Sequence, residues 1–435
     1  MSSGPVAPLD RKRVLGFWTL LTLGINGIVG VGIFLVPGQL AEAVPGAASA
    51  LAFVLTGLLL LPVAWTYGRL GSAYPEDGGP YVWARVALGE RFAFGVGFVA
   101  FASAVLSTSA VVSALGQYLA PELGFSSPAA RWGFQVGAAL LFSSVTLLGL
   151  RLSAGVWSAL TLLKLLPLVL LAYAGAGQLL GGSGGSSSAN SAAGSLLGAG
   201  WGRAALLAVF PLQGFEIVPV PGGEVRGGRR TVLGATVLSL GFAVTLYVLL
   251  QVACARALPN LAISVAPVVE AGTHYTHGIG RGLFAAGANI SAVGIAFGMF
   301  AMTPRYLSAL GTETLLGVEL ARERRGVPTR ALVITTACVL LLVSNSTLGG
   351  LFVLSSLAVL LQYAVSAAAL FRLAWRGERG LGKLDLLLAP TTLLAIVALA
   401  QAARAVELLI LAGILLLGLL LLWLRHRLAS RRAAR

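Results

Sequence analysis

The sequence predicts an all-α polytopic membrane protein of about twelve transmembrane helices. Composition is the first observation behind this: 57% of the 435 residues are hydrophobic and 10% charged, with mean hydropathy +0.90, whereas soluble domains carry roughly a quarter charged residues. Apolar runs of spanning length also follow one another, with basic residues gathered between them. The third observation is that two of these runs, LGINGIVGVGIFLVP at 23–37 and VFPLQGFEIVPVPGGE at 209–224, are interrupted by glycine and proline. Each mid-helix glycine weakens a helix by up to about 1 kcal/mol relative to alanine. In lipid the freed backbone groups are tolerated only where they face protein or a water-filled cavity. The first interruption is therefore a candidate binding site. It presents carbonyls at the end of one half-helix and N–H groups at the start of the next, which suits a ligand carrying both a cation and an anion.

Residues 1–13 form a polar tail ending in Arg11, Lys12 and Arg13, whose charge favours a cytoplasmic N-terminus. The run from Val14 is too long for a cleavable leader and lacks a small-residue cleavage site, so span 1 is expected to act as its own insertion signal. Residues 14–180 hold a first set of five spans, at Val14–Ala43 (divided near Gly27–Gly32), Ala47–Leu70, Phe92–Leu119, Ala130–Leu150 and Ser153–Leu180. Between spans 2 and 3, Tyr67–Gly89 reads as a re-entrant or interfacial turn on the cytoplasmic side, because of Pro75, Gly78, Gly79 and Pro80. Residues 181–200, GGSGGSSSANSAAGSLLGAG, read as a flexible external loop.

A second set of five occupies residues 201–376: Trp201–Pro221, Val232–Ala255, Gly282–Leu310, Ala331–Val343 and Leu348–Trp375, with the charged tract Gly311–Arg330 expected as an interfacial helix. Residues 377–424 supply spans 11 and 12, and 425–435 a basic cytoplasmic tail. One interrupted span opening each set of five points to inverted repeats with a site at their interface. In this layout about 24 Lys/Arg fall on the cytoplasmic side and about 5 outside. That asymmetry supports about twelve spans with both termini inside, and the expected location is the plasma (inner) membrane.

One basic residue belongs to neither side. Lys164 lies about 18 Å into span 5, too deep to reach an interface comfortably. It is one of only three lysines among 30 basic residues. A buried lysine can gain and lose a proton where an arginine stays charged, so Lys164 is a candidate for proton coupling, the bland reading being a structural tie to the span 1 break. Glu216 is the other mid-membrane charge; it can relay a proton, hold the broken span 6 together, or partner Lys164. Glu42 and Glu224 suit solvated or capping roles.

The net charge of +15 is not a nucleic-acid footprint, because the arginines lie in short tracts between apolar segments. Cys254 and Cys338 offer neither a disulfide framework nor a metal cluster, and His274 and His277 lack further ligands nearby. No catalytic constellation, cofactor motif or phosphate cradle can be assembled, so the chain does not read as an enzyme.

GINGIVGVGIF on span 1, YGRLGSAYPEDGGPYVWARVALG after span 2, LTLLKLLPL on span 5, FPLQGFE with GGEVRGGRR on span 6, and MTPRYLSALG closing span 8 together resemble the amino acid–polyamine–organocation transporters. The similarity runs from span 1 into span 9. It implies a LeuT-like fold, a 5+5 inverted repeat with broken helices 1 and 6 and peripheral spans 11 and 12. It also implies that a substrate carboxylate meets the backbone N–H groups of Gly30, Val31 and Gly32, and that the amino group meets carbonyls near Ile25, Asn26 and the span 6 break, where Gln213 and Gly214 lie. Phe210 matches an aromatic gate over the substrate. Lys164 matches a lysine that stands in for a sodium ion and braces span 5 against spans 1 and 8, and Glu216 matches the family's GFE glutamate. Val31 departs from the Ser or Thr of many relatives, removing a hydroxyl contact, and Pro211, Pro219 and Pro221 make span 6 unusually proline-rich.

The expectation is a secondary amino acid transporter, using proton symport through Lys164 and favouring a neutral side chain, with no cofactor. Ser103, Ser107, Thr108, Ser109, Asn289 and Ser291 are further pocket candidates, or else interhelical hydrogen bonds. An obligate amino acid or polyamine exchanger is the nearer alternative. A non-transporting amino acid sensor is the alternative from another class.

Overall fold

The computed structural model describes residues 15–75, 79–149, 154–180, 199–220, 225–226, 229–311, 320, 322–324 and 326–433. The helices are α1 (Phe17–Ile28), α2 (Gly32–Ala43), α3 (Ala50–Ala73), α4 (Pro80–Leu88), α5 (Glu90–Glu122), α6 (Pro128–Leu147), α7 (Ala154–Leu180) and α8 (Ala199–Leu212). They continue as α9 (Arg229–Ala257), α10 (Pro267–Tyr275), α11 (Arg281–Gly311), α12 (Thr329–Asn345), α13 (Leu348–Trp375), α14 (Lys383–Ala400) and α15 (Ala405–Ala433). Among the described residues seven helices are long and apolar enough to cross a membrane, or eight if the bent pair α1–α2 is one span. The protein is thus a multi-pass membrane protein. Shorter apolar helices cover 200–212, 329–345 and 405–420.

Helix boundaries follow local chemistry. Pro80 opens α4 at a first-turn position where its missing N–H is harmless. Gly89, at φ +96, closes α4 and opens α5. Ser127 Oγ accepts from Ala130 N (3.2 Å) to cap α6, and Thr347 Oγ1 accepts from Gly350 N (3.2 Å) to cap α13.

Three stretches differ from the sequence expectation. The turn expected over Tyr67–Gly89 contains the helix α4, because PYVWARVAL can bury Val82, Trp83, Ala84 and Ala87 on one side once Pro80 has started it. The stretch carrying His274, expected as an external loop, likewise contains α10. In the tract expected as an interfacial helix, Glu323–Arg324 (β1) pairs antiparallel with Val327–Pro328 (β2). Gly326 at φ +74 and Pro328 both oppose helix there; residues 312–319 lie outside the described residues, as do 1–14 of the N-terminal tail and 181–198 of the Gly/Ser loop.

Small residues bring the helices into two closely packed groups. A Cβ at Gly24 of α1 would lie 2.6 Å from Ser239 Oγ of α9, and one at Gly68 of α3 would lie 2.7 Å from Leu233 Cδ1 of α9. Thr56 Oγ1 donates to Ala205 O (3.0 Å), joining α3 to α8. These contacts pack α1, α3, α8 and α9 together. The other group contains α5, α6, α11 and α12. There Thr108 meets Thr303 (Oγ1···Oγ1 3.0 Å), Thr336 Oγ1 donates to Ser143 Oγ (2.9 Å), and Phe142 stacks on Phe300 at 6.0 Å between centroids.

Candidate functional site

The site is built where two helices stop. α1 ends at Ile28 and α2 begins at Gly32, with a bend of 52° between them. The last turn of α1 frees carbonyls and the first turn of α2 frees N–H groups. Three of those carbonyls are taken by buried side chains. Lys164 Nζ, from α7, donates to Asn26 O (3.2 Å) and Val29 O (2.6 Å), and Tyr247 Oη of α9 donates to Ile28 O (3.0 Å). Lys164 is 5% exposed, so its ammonium is held by the break and not by solvent. Further along, Tyr118 Oη donates to Phe34 O, and Gln251 Nε2 to Pro37 O (3.1 Å) and Ser49 Oγ (2.8 Å).

On the facing side, α8 ends at Leu212 and Gly214 adopts φ +119 before a short 3-10 turn at Phe215–Ile217. Any Cβ at Gly214 would overlap the Gly27 carbonyl group, so the two interruptions meet backbone to backbone. Only glycine satisfies both the positive φ and that approach. Glu216 Oε2 accepts from Gly214 N (2.7 Å) and from Tyr363 Oη of α13 (3.1 Å), bracing the α8 turn. A Cβ at Gly32 would lie 3.0 Å from Phe210 Cδ1 and 3.1 Å from Pro211 Cα. Phe210 stacks on Phe352 of α13, with centroids 4.2 Å apart and planes at 30°.

The structure therefore brings Gly27 and Gly32 of the first interruption against Gly214 and Phe210 of the second, while Gly30 faces Ile295 of α11. Ile25 O accepts from Val29 N (2.8 Å), and Gln213 Nε2 is buried without a hydrogen-bond partner. Lys164 and Glu216 both border the site, but no ion pair or hydrogen bond joins them among the described residues. Sequence reading missed Tyr247, Tyr363 and Phe352, which come from distant helices. Their one visible signal is an aromatic residue inside an apolar span. Of the other polar candidates, Ser107 meets Ser355 (Oγ···Oγ 2.6 Å) and Thr108 meets Thr303, while Ser109 Oγ bonds back to Val105 O (2.8 Å). Asn289 Nδ2 donates to Glu122 Oε2 (2.7 Å) on an exposed face. Ser291 Oγ is buried without a partner. Ser103 is 6% exposed.

Glu42 is exposed, and Glu224 lies outside the described residues. His274 lies edge-on to Tyr275, and among the described residues no group of three or more His, Cys, Asp or Glu gathers as a metal site.

The geometry offers polarised backbone of both signs at one place, a buried ammonium beside it, and an aromatic wall. The profile of the family described as Amino acid permease matches residues 15–421, which includes every element of this site. The chain belongs to the amino acid permease family. This permease is 28% identical over 377 residues to an uncharacterised transporter of Mycobacterium tuberculosis, covering 83% of the chain and 80% of the relative. It is also 26% identical over 273 residues to the methylthioribose transporter of Bacillus subtilis (59% and 58% covered). Human cationic amino acid transporter 4 is 26% identical over 269 residues, covering 57% of this permease and 41% of the relative. These relatives are amino acid–polyamine–organocation transporters, so the family expected from the motifs is the family found.

Proposed function

We propose that this permease is a secondary active amino acid transporter working by alternating access, with proton symport through Lys164. One observation carries the reading: the buried Lys164 ammonium is bonded to the Asn26 and Val29 carbonyls of the α1–α2 interruption. Loss of that proton removes the cationic charge that holds the α1 carbonyls at the break, which couples protonation to the shape of the site. The substrate carboxylate would sit on the amides of Gly30, Val31 and Gly32 at the start of α2. Its amino group would face the carbonyl side near Ile25, Asn26 and Gly214. Carbonyl oxygens already bonded once can accept again.

A neutral side chain fits best. The Phe210–Phe352 wall is apolar, and the Glu216 carboxylate is occupied by Gly214 and Tyr363. In this reading the unit of α1, α3, α8 and α9 rocks against α5, α6, α11 and α12. The spanning helices, together with α6, α8, α12 and α15, make up a LeuT-like set of twelve in a 5+5 inverted arrangement, with both termini cytoplasmic in the inner membrane.

Uptake of pooled labelled amino acids into proteoliposomes, with and without an inward proton gradient, tests this. Gradient-driven accumulation that Lys164→Ala abolishes is the expected result. Uptake indifferent to the gradient but dependent on preloaded amino acid would replace symport with exchange. No uptake at all would leave a substrate sensor.

A further inference from the structure

The last two helices of the protein look peripheral, yet the first half of α14 is tied to α3 and the start of α15 is tied to α8. At its start, Asp385 is 2% exposed and accepts from Arg69 Nε (2.8 Å), Arg69 Nη2 (2.7 Å), Trp65 Nε1 (3.1 Å) and Gly382 N (2.9 Å). Trp65 and Arg69 are one turn apart on a single face of α3. The turn before α14 is fastened to the same end of α3, with Tyr74 Oη donating to Glu378 Oε2 (2.9 Å) and Arg379 Nη1 to Ala73 O (3.1 Å). Midway along α14, Thr392 meets Thr66 (Oγ1···Oγ1 3.2 Å). Beyond its other end, Glu407 of α15 accepts both Arg203 Nη1 (2.8 Å) and Nη2 (2.7 Å) from α8, and Arg404 N (2.8 Å).

Helix α14 has 18 residues, about 27 Å at 1.5 Å per residue. A single tie would let such a rod swing. Ties at its start and its middle, with a third to the start of α15 just past its far end, do not, and paired guanidinium–carboxylate bonds hold angle as well as distance. The contact of α15 with α5 is of another kind: Ile414 packs with Phe94, Phe98 and Leu310, and Gly418 lies against the Phe98 ring. Apolar faces of this sort can slide without leaving a buried charge unpaired.

We propose that Asp385 and Glu407 are positioning residues that make α14 and the start of α15 part of the moving unit formed by α1, α3, α8 and α9. The inference rests on the two-unit transport reading above. Under it, the seam along which this permease opens runs between α15 and α5, and not between α14 and α3.

Spin-label distances in a Cys254→Ala/Cys338→Ala background test it, with label pairs at Leu58→Cys (α3), Leu394→Cys (α14) and Leu141→Cys (α6), all exposed on the outer surface of the bundle. Distances are measured in liposomes with and without pooled amino acids. The expected result is that Leu58–Leu141 and Leu394–Leu141 shift together while Leu58–Leu394 stays fixed. A shift of Leu58–Leu141 with Leu394–Leu141 unchanged would overturn the inference and leave the transport reading standing. No shift of Leu58–Leu141 would overturn both. In Asp385→Asn/Glu407→Gln, Leu58–Leu394 should broaden and become substrate-dependent, and the swap Arg69→Asp/Asp385→Arg in place of Asp385→Asn should narrow it again. A distribution unmoved by the neutral pair would show that the carboxylates do not couple α14 to α3.

Discussion

Gly214 shows how much of the site hangs on single atoms. It stands at φ +119 with the Gly27 carbonyl group where a Cβ would go. Gly214→Ala therefore meets two penalties at once, backbone strain on the order of 1–3 kcal/mol and an overlap that only separation of the α1 and α8 ends can relieve. We expect a lowered melting temperature in detergent and loss of uptake. Gly95→Ala on α5, with nothing within 4 Å of the added carbon, should leave both intact. Tyr247→Phe is a gentler probe of the same place. It removes the donor to Ile28 O and leaves a buried carbonyl unsatisfied, worth about 1–3 kcal/mol. The expected result is a destabilised protein that still accumulates substrate, since Lys164 keeps its own two bonds to the interruption. Complete loss of uptake in a folded Tyr247→Phe protein would show that the tyrosine, and not only the lysine, belongs to the coupling machinery.

At the scale of elements, the α8–α13 contact is the aromatic wall of the proposed substrate site. The Phe210–Phe352 stack should contribute about 0.5–1.5 kcal/mol beyond simple burial. Phe210→Leu and Phe352→Leu are each expected to raise the KM for uptake by about two- to twelve-fold, and the double variant by no more than the larger single effect. Additive losses would mean that each ring meets substrate separately. Only half of this contact was legible in the sequence. Phe210 opens the FPLQGFE stretch and was picked out there by its match to the family's aromatic gate, whereas Phe352 sits in an unbroken apolar run where nothing local distinguishes it. The same asymmetry holds elsewhere. The first interruption was visible because four glycines between Leu23 and Pro37 weaken a helix whatever surrounds it. The ties of Arg69 to Asp385 and Arg203 to Glu407 join residues 316 and 204 positions apart, and no local pattern reports such a distance. Helix α4 was hidden for the opposite reason: Gly79 and Pro80 signal a turn, and the same proline then starts a helix.

For the whole molecule, the hydropathy pattern and the positive charge make a joint claim that can be separated from the transport chemistry. Seven or eight described helices are spanning by length and apolarity alone. Helices α8 and α12 are short, so their crossing rests on the charges that flank them. Arg281 and Arg404 would lie outside, and Arg330 with Lys383 inside, only if both α8 and α12 cross; removing either crossing inverts every later loop and reverses the charge asymmetry. Alkaline phosphatase, which is active only after export, fused after Ile279 should therefore be active, and fused after Gly382 inactive. A fluorescent protein that matures only in the cytoplasm should show the reverse pattern at the same two positions. The two reporters together count the crossings between α10 and α14 as odd. An active phosphatase at both positions would mean that one of α11, α12 and α13 fails to cross, and α12, with 17 residues spanning about 26 Å, would be the first to doubt.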